Sequence, residues 1–111
     1  MSSSVTYHFV TAASTNLQPV GSADQGGTVK GYCFNNAAGA NALKFYWGAQ
    51  PTVGTTVPNY TELMASSAVV VRAFPDGITG NGQLWVAVTG AVADNDSTNG
   101  TAAAVVTLLL E

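Results

Sequence analysis

The sequence predicts an all-β protein, a single antiparallel β-sandwich or jelly-roll-like domain of about eight short strands. Three observations carry this expectation. No segment keeps apolar residues at helical spacing over three turns. Short runs rich in Val, Thr, Tyr and Phe recur along the chain, separated by Gly, Asn, Asp and Pro. A chain of 111 residues, 47% of them apolar, makes one domain (1–111) with enough material for a core.

Strands are expected near Val5–Val10, Leu17–Val20, Gly27–Asn35, Ala42–Trp47, Tyr60–Ala65, Ala68–Phe74, Gln83–Gly90 and Ala103–Leu110. In the first, Val5, Tyr7 and Phe9 share one face and Thr6, His8 and Val10 the other, because strand side chains alternate. Asn35-Asn36-Ala37-Ala38-Gly39 has the composition of a hairpin link. Pro51–Pro58 reads as a loop bracketed by prolines, which cannot donate to a sheet ladder. A short helix over Tyr60–Ser66 is the alternative to a strand there. Asp76-Gly77 and Asn81-Gly82 suit turns that need positive φ. Asp94–Gly100 is a polar loop. The Ser-rich start is expected to be loose, or ordered only against a neighbour.

The last strand departs from the usual pattern. Val105-Val106-Thr107-Leu108-Leu109-Leu110 barely alternates, whereas a strand with one wet face should. Continuous apolarity implies cover on both faces, from a further layer of this chain or from another subunit; the subunit is the favoured reading. Val69-Val70-Val71 makes the same argument more weakly.

Charge is scarce. Only 8% of residues are Asp, Glu, Lys or Arg, against roughly a quarter in ordinary soluble domains. They are Lys30, Lys44, Arg72, Asp24, Glu62, Asp76, Asp94, Asp96 and Glu111. A surface of Ser, Thr, Asn, Gln and Gly packs against other molecules without desolvating many ions, which is the costly part of association. Composition alone points to an assembly component or, equally, to a secreted or expressed β-domain of unusual composition. The net charge of -3 and the lack of a basic patch argue against nucleic acid. No apolar run reaches the length of about 18 residues that spans a bilayer, so no membrane partner is expected. Met1–Val5 has no cationic and apolar leader pattern, and ordinary export is not expected.

Candidate chemistry is thin, and the chain is expected not to be an enzyme. His8 is the single histidine, in a strand with no nearby acid, and no Gly-x-Ser-x-Gly elbow exists. No catalytic residue, metal ligand or cofactor is assigned. Asp94–Gly100 is rich in oxygen donors, but its glycine is one place late for an EF-hand loop and the closing acid is missing. Gly77–Gly82 lacks the lysine and helix of a phosphate loop. Cys33, the only cysteine, sits in the apolar run Tyr32-Cys33-Phe34 and reads as an inert thiol. The three Asn-x-Ser/Thr matches, at Asn59, Asn95 and Asn99, are expected by chance in so Asn- and Thr-rich a chain. Phe45-Tyr46-Trp47 and Trp85 could stack on sugar rings, but alternation sends part of such a triplet inward, and core is the favoured reading.

One stretch carries a resemblance. Leu43-Lys44-Phe45-Tyr46-Trp47-Gly48-Ala49-Gln50-Pro51-Thr52-Val53-Gly54-Thr55-Thr56-Val57-Pro58, with Pro75-Asp76-Gly77-Ile78 and Leu84–Asp96, resembles small β-sandwich virion proteins of tailed bacteriophages and prophages. The likeness runs over the last two-thirds of the chain. It departs at Gln50, where that family's phrase has Ala, and at Phe45-Tyr46-Trp47. It implies a place on a phage particle and no catalytic residues. With the composition, it leads to an expected capsid decoration (cement) protein on the capsid exterior. Its partners would be itself, as a homotrimer, and the major capsid protein. Val69, Val71, Val105, Leu108 and Leu110 are expected in the core or subunit contact. Thr52, Val53, Thr55, Asp94, Asn95 and Asp96 are expected on loops that face the capsid or a ligand. The alternative is a glycan-recognising module of a head or tail fibre, and a third reading is a small hydrolase that uses His8.

Overall fold

Eight strands form where the β-branched and aromatic runs lie. They are β1 (Ser3–Phe9), β2 (Gln18–Val20), β3 (Val29–Asn36), β4 (Asn41–Trp47), β5 (Tyr60–Met64), β6 (Ala68–Ile78), β7 (Leu84–Thr89) and β8 (Ala104–Leu110). The computed structural model describes residues 3–9, 17–20, 28–36, 41–64, 68–90 and 104–110; for Ser3, Val5, Tyr7, His8, Phe9 and Gln18 it describes the backbone alone. Residues 60–64 are strand, so the helix alternative at Tyr60–Ser66 is not taken.

The strands make two four-stranded sheets, β1-β8-β3-β6 (sheet A) and β2-β7-β4-β5 (sheet B). Every pairing is antiparallel. The pairs β1–β8, β2–β7, β3–β6 and β4–β5 are nested, as in one long hairpin folded at its middle. Rolling that hairpin joins β8 to β3 and β7 to β4, which is the strand order of a jelly roll. Consecutive strands therefore mostly change sheets. This corrects the hairpin expected at Asn35–Gly39: β3 and β4 lie in different sheets and are not neighbours. The turn residues carry the chain across the sandwich. The buried Asn41 side-chain amide donates to the Asn36 side-chain carbonyl across this crossing.

The larger of two buried apolar clusters among the described residues lies between the sheets. Tyr32 and Phe34 of β3 face Leu43 and Phe45 of β4, with Val86 and Val88 of β7 and Val106 and Leu108 of β8, all at most 3% exposed. Period-two alternation selects these residues. Strand β8 alternates in burial even though it does not alternate in composition. Ala104, Val106 and Leu108 are buried, whereas Val105 and Thr107 are half-buried and Leu109 is exposed. The expected double burial of this strand is therefore not met within the described chain. On β1, Val5, Tyr7 and Phe9 sit in register opposite Leu108, Val106 and Ala104, the inward positions of β8.

Strand β3 carries a bulge. Its register with β8 shifts between Val29 and Gly31, which leaves Lys30 without a Cα partner on that side. Gly31 belongs there for a steric reason: a Cβ on it would lie 2.6 Å from the Arg72 backbone oxygen.

Leu108 lies at the centre of β8 and is fully buried. Leu108→Ala is expected to lower the unfolding free energy by about 2–5 kcal/mol in urea titration. A loss below about 1 kcal/mol, the ordinary range for surface changes, would contradict its placement in the core.

Candidate functional site: the uncovered face of sheet A

The two outer faces of the sandwich are treated unequally. On sheet B the outward positions of β4 and β7 are Ala42, Lys44 and Tyr46 with Trp85, Ala87 and Thr89. All are buried except Trp85, which is half-buried. The β4–β5 loop packs on Tyr46 and Ala87 of this face through Val53, 7% exposed, beside Leu17 and Trp85. Side-chain and backbone bonds pin the loop. The Trp85 indole N–H donates to the Gly48 carbonyl at 3.1 Å. The Trp47 N–H donates to the Asn59 side-chain oxygen at 2.9 Å. Thr55 and Thr56 N–H both donate to the Thr52 carbonyl.

This corrects the expectation that Val53 faces a partner, because it is the apolar plug that fastens its loop to the sheet. Thr52 and Thr55 on the same loop are exposed. Asp94, Asn95 and Asp96, with the rest of the Asp94–Gly100 loop, lie outside the described residues.

Sheet A has no such cover among the described residues. Register places two rows of outward residues across its four strands, Ser4–Leu109–Gly31–Ala73 and Thr6–Thr107–Cys33–Val71. A third row contains Val105, Asn35 and Val69. Val71 is 71% exposed, Val69 58% and Leu109 48%. Val69 and Val71 are therefore not core, as one branch of the expectation had them; the inward member of that run is the half-buried Val70. Val105 is half-buried on the outer face, and the half-buried Leu110 packs against the core. Apart from the exposed Asn35 amide, the side chains across the rows are small, apolar or hydroxylic, and Thr6 and Thr107 share a 3.0 Å hydrogen bond. A shallow open groove of about 280 Å³ runs over the bulge between Lys30, Cys33, Val71 and Leu109. Two cations line the groove on this face: Lys30, which donates to the Pro75 carbonyl at 2.7 Å, and Arg72, which is paired with Glu62.

The free edge of sheet A, β6, is clasped to the free edge of sheet B, β5. Glu62 of β5 forms an ion pair with Arg72 of β6 and accepts a hydrogen bond from the Tyr32 hydroxyl at 2.9 Å. Tyr32 and Tyr60 hydroxyls lie 2.7 Å apart. Beneath them Phe45 stacks on Tyr60 at 5.4 Å, and Phe74 meets Tyr60 edge-on at 5.7 Å. The Arg72 hydrogen bond holds the Glu62 carboxyl below its usual range against the opposing effect of burial. Burial, followed by the bonds to Tyr60 and Glu62, raises the Tyr32 hydroxyl. Reading the sequence in segments missed this clasp. The signal was present: Glu62 and Arg72 are two of nine charged residues and sit on consecutive strands.

The other candidates find structural places. Phe45 and Tyr46 are buried, and Trp47 and Trp85 are half-buried with the Trp85 N–H engaged, so the four offer no open stacking platform. Cys33 is half-buried on the outer face of sheet A. His8 pairs in register with Val105, and its side chain lies outside the described residues. Among the described residues no three His, Cys, Asp or Glu side chains gather as a metal set.

Glu62 gives a pH dependence of known sign. Its folded carboxyl titrates lower than the unfolded reference of 4.5, so the native state binds fewer protons. The resulting stability is complete above the unfolded value and disappears as pH falls through the folded one. In urea titrations from pH 7 down to pH 2, Glu62→Gln is expected to differ from wild type at neutral pH and to converge with it in acid. A constant offset over that range would show that the carboxylate charge is not what matters.

Comparison with known proteins adds no identity: no family model, no curated protein and no solved structure matches this chain.

Proposed function

We propose that the chain is a structural virion protein, a capsid decoration protein that binds the outside of an assembled phage shell and braces it without covalent bonds. The observation that carries this reading is the outer face of sheet A, apolar at Val69, Val71 and Leu109 and without cover among the described residues, on a chain of very low charge. An exposed apolar patch of this kind marks an interaction surface. The low charge keeps the desolvation cost of repeated contacts small. The phage setting rests on the resemblance of the Leu43–Pro58 phrase.

In this mechanism copies of the chain associate with one another, as a homotrimer, and present equivalent loops to the major capsid protein. The exposed Thr52 and Thr55 and the Asp94–Asp96 loop are the feet. Binding to the assembled shell and not to its free subunits stabilises the shell by mass action. Several equivalent feet turn weak contacts into durable attachment. The rival reading, a glycan-binding fibre module, loses its support where the aromatic residues that would stack on sugars are buried or half-buried.

The test uses the phage that carries this gene. Purified chain is expected to co-sediment with assembled shells and not with free capsid subunits, and to raise the temperature at which shells open. Quantitative mass spectrometry of particles is expected to find a copy number comparable to that of the major capsid protein. A handful of copies per particle, with no shell binding, would overturn the decoration reading in favour of a fibre module.

A further inference from the structure

The geometry points to one arrangement of the copies: three chains join edge to edge, β6 of each pairing with β1 of the next, so that three A sheets form a closed triangular prism with their bare faces inward. This deepens the proposed self-association and rests on it, but it does not depend on the chain belonging to a capsid.

The first argument concerns the edges. In sheet A both outer strands, β1 at one end and β6 at the other, have a side with no strand partner among the described residues. Strand β6 runs for 11 residues, and its pairing from Ala68 to Ala73 is continuous, without a shift in register. Over that run it has none of the usual protections of an edge: no proline, no lysine and no bulge. Its one ion, Arg72, is held by Glu62 of its own chain. Such an edge is a template for another strand.

The second argument concerns direction. Neighbours in β1-β8-β3-β6 are all antiparallel, so β1 and β6 run in opposite directions. A rotation axis parallel to the strands preserves direction. It therefore sets β6 of one copy antiparallel to β1 of the next, which is the pairing an antiparallel sheet extends by.

The third argument concerns number. Four strands at about 4.8 Å make a side of about 19 Å, and an equilateral triangle of that side has its faces about 5.5 Å from the axis. Sheets that pack through their side chains lie about 10 Å apart, so each contributes about 5 Å. Three copies thus fill the prism with one layer of side chains from each, namely Val69, Val71, Cys33, Thr107 and Leu109, with the Asn35 amides the polar members of the layer. Four copies would hold the sheets about 10 Å from the axis and leave a hollow that Val, Thr and Cys cannot fill. Two copies packed face to face would cover the patch but leave both edges unpaired. The three-fold ring covers face and edges together, and it supplies the second cover that the unalternating β8 calls for.

The test is disulfide trapping in a Cys33→Ser background. One cysteine is placed on β1 (Ser4→Cys or Thr6→Cys) and one on β6 (Val69→Cys, Val71→Cys or Ala73→Cys). Ser4, Thr6, Val69, Val71 and Ala73 are all exposed, so folding should survive, and far-UV circular dichroism checks it. Two strands lie between β1 and β6 within a chain, too far for an intrachain bond. Mild oxidation of the best pair is expected to give covalent trimers on a non-reducing gel, and either single cysteine none. As an independent readout, light scattering of the unmodified chain should give the mass of three copies, and Val71→Lys that of one. A single-copy mass for the unmodified chain, or a covalent dimer from Val71→Cys alone, would overturn the prism, the latter in favour of a two-fold β6–β6 contact. Covalent trimers that fail to bind shells would keep the prism and remove the capsid reading, whereas shell-binding monomers would do the reverse.

Discussion

The governing constraint is that two sheets have four faces and a chain of this length encloses only one interior between them. Two faces meet in the core through Phe34, Phe45, Leu43, Val86, Val106 and Leu108. On the third, the outside of sheet B, Val53 of the β4–β5 loop packs on Tyr46 and Ala87. Nothing among the described residues is left for the fourth. An apolar outer face that the described residues leave bare is stable in water only as a compromise. The β4–β5 loop, the long loop among the described residues, packs on the sheet that carries Lys44 and Tyr46 at buried outward positions.

Polar residues hold the places where the roll changes sheets. Asn36 and Asn41 bond where the chain passes from β3 to β4. The Gln83 side-chain amide, leading into β7, donates to the Val20 carbonyl of β2 at 2.5 Å and to the Leu84 carbonyl at 2.9 Å. Tyr32, Glu62 and Arg72 close the opening between β5 and β6. These are sites where backbone leaves a ladder and buried donors and acceptors would otherwise go unmet, and an unmet group costs about 1–3 kcal/mol. A sandwich built from short apolar strands slides easily in register. Directional bonds at the crossings, together with the β3 bulge at Lys30, oppose that sliding.

Much of this was legible in the residues. Each of the eight strands lies within about two residues of its expected bounds at most ends, because β-branched and aromatic runs between Gly, Asn and Pro are local signals. Sheet membership is not local. The link at Asn35–Gly39 has hairpin composition, yet it crosses the sandwich, since β3 finds its partners in β6 and β8 far along the chain. Burial in Val69-Val70-Val71 was equally hidden: three identical side chains carry no alternation, and the pairing with β3 alone decides that Val70 turns inward. Val53 was misplaced because a residue in a loop of Thr and Gly looks solvated until the sheet beneath it is known. The Glu62–Arg72 clasp joins two sheets and could be seen only by asking where so few charges must go.

That scarcity of charge links stability to assembly. Most soluble domains keep their strand edges and outer faces single by placing Lys, Glu or Pro on them. Here the outward positions of β6 from Ala68 to Ala73 are Val and Ala, and its one arginine is held by its own chain's glutamate. A chain left alone with such an edge would associate without limit. A specific closed ring removes the hazard, because it uses up each edge once and leaves no site for a further copy. The same absence of ions that makes the single chain vulnerable makes the closed form inexpensive to build, since almost no charge loses water as the faces meet. In the proposed ring, the scarcity of charge and the bare edges are thus one design and not two.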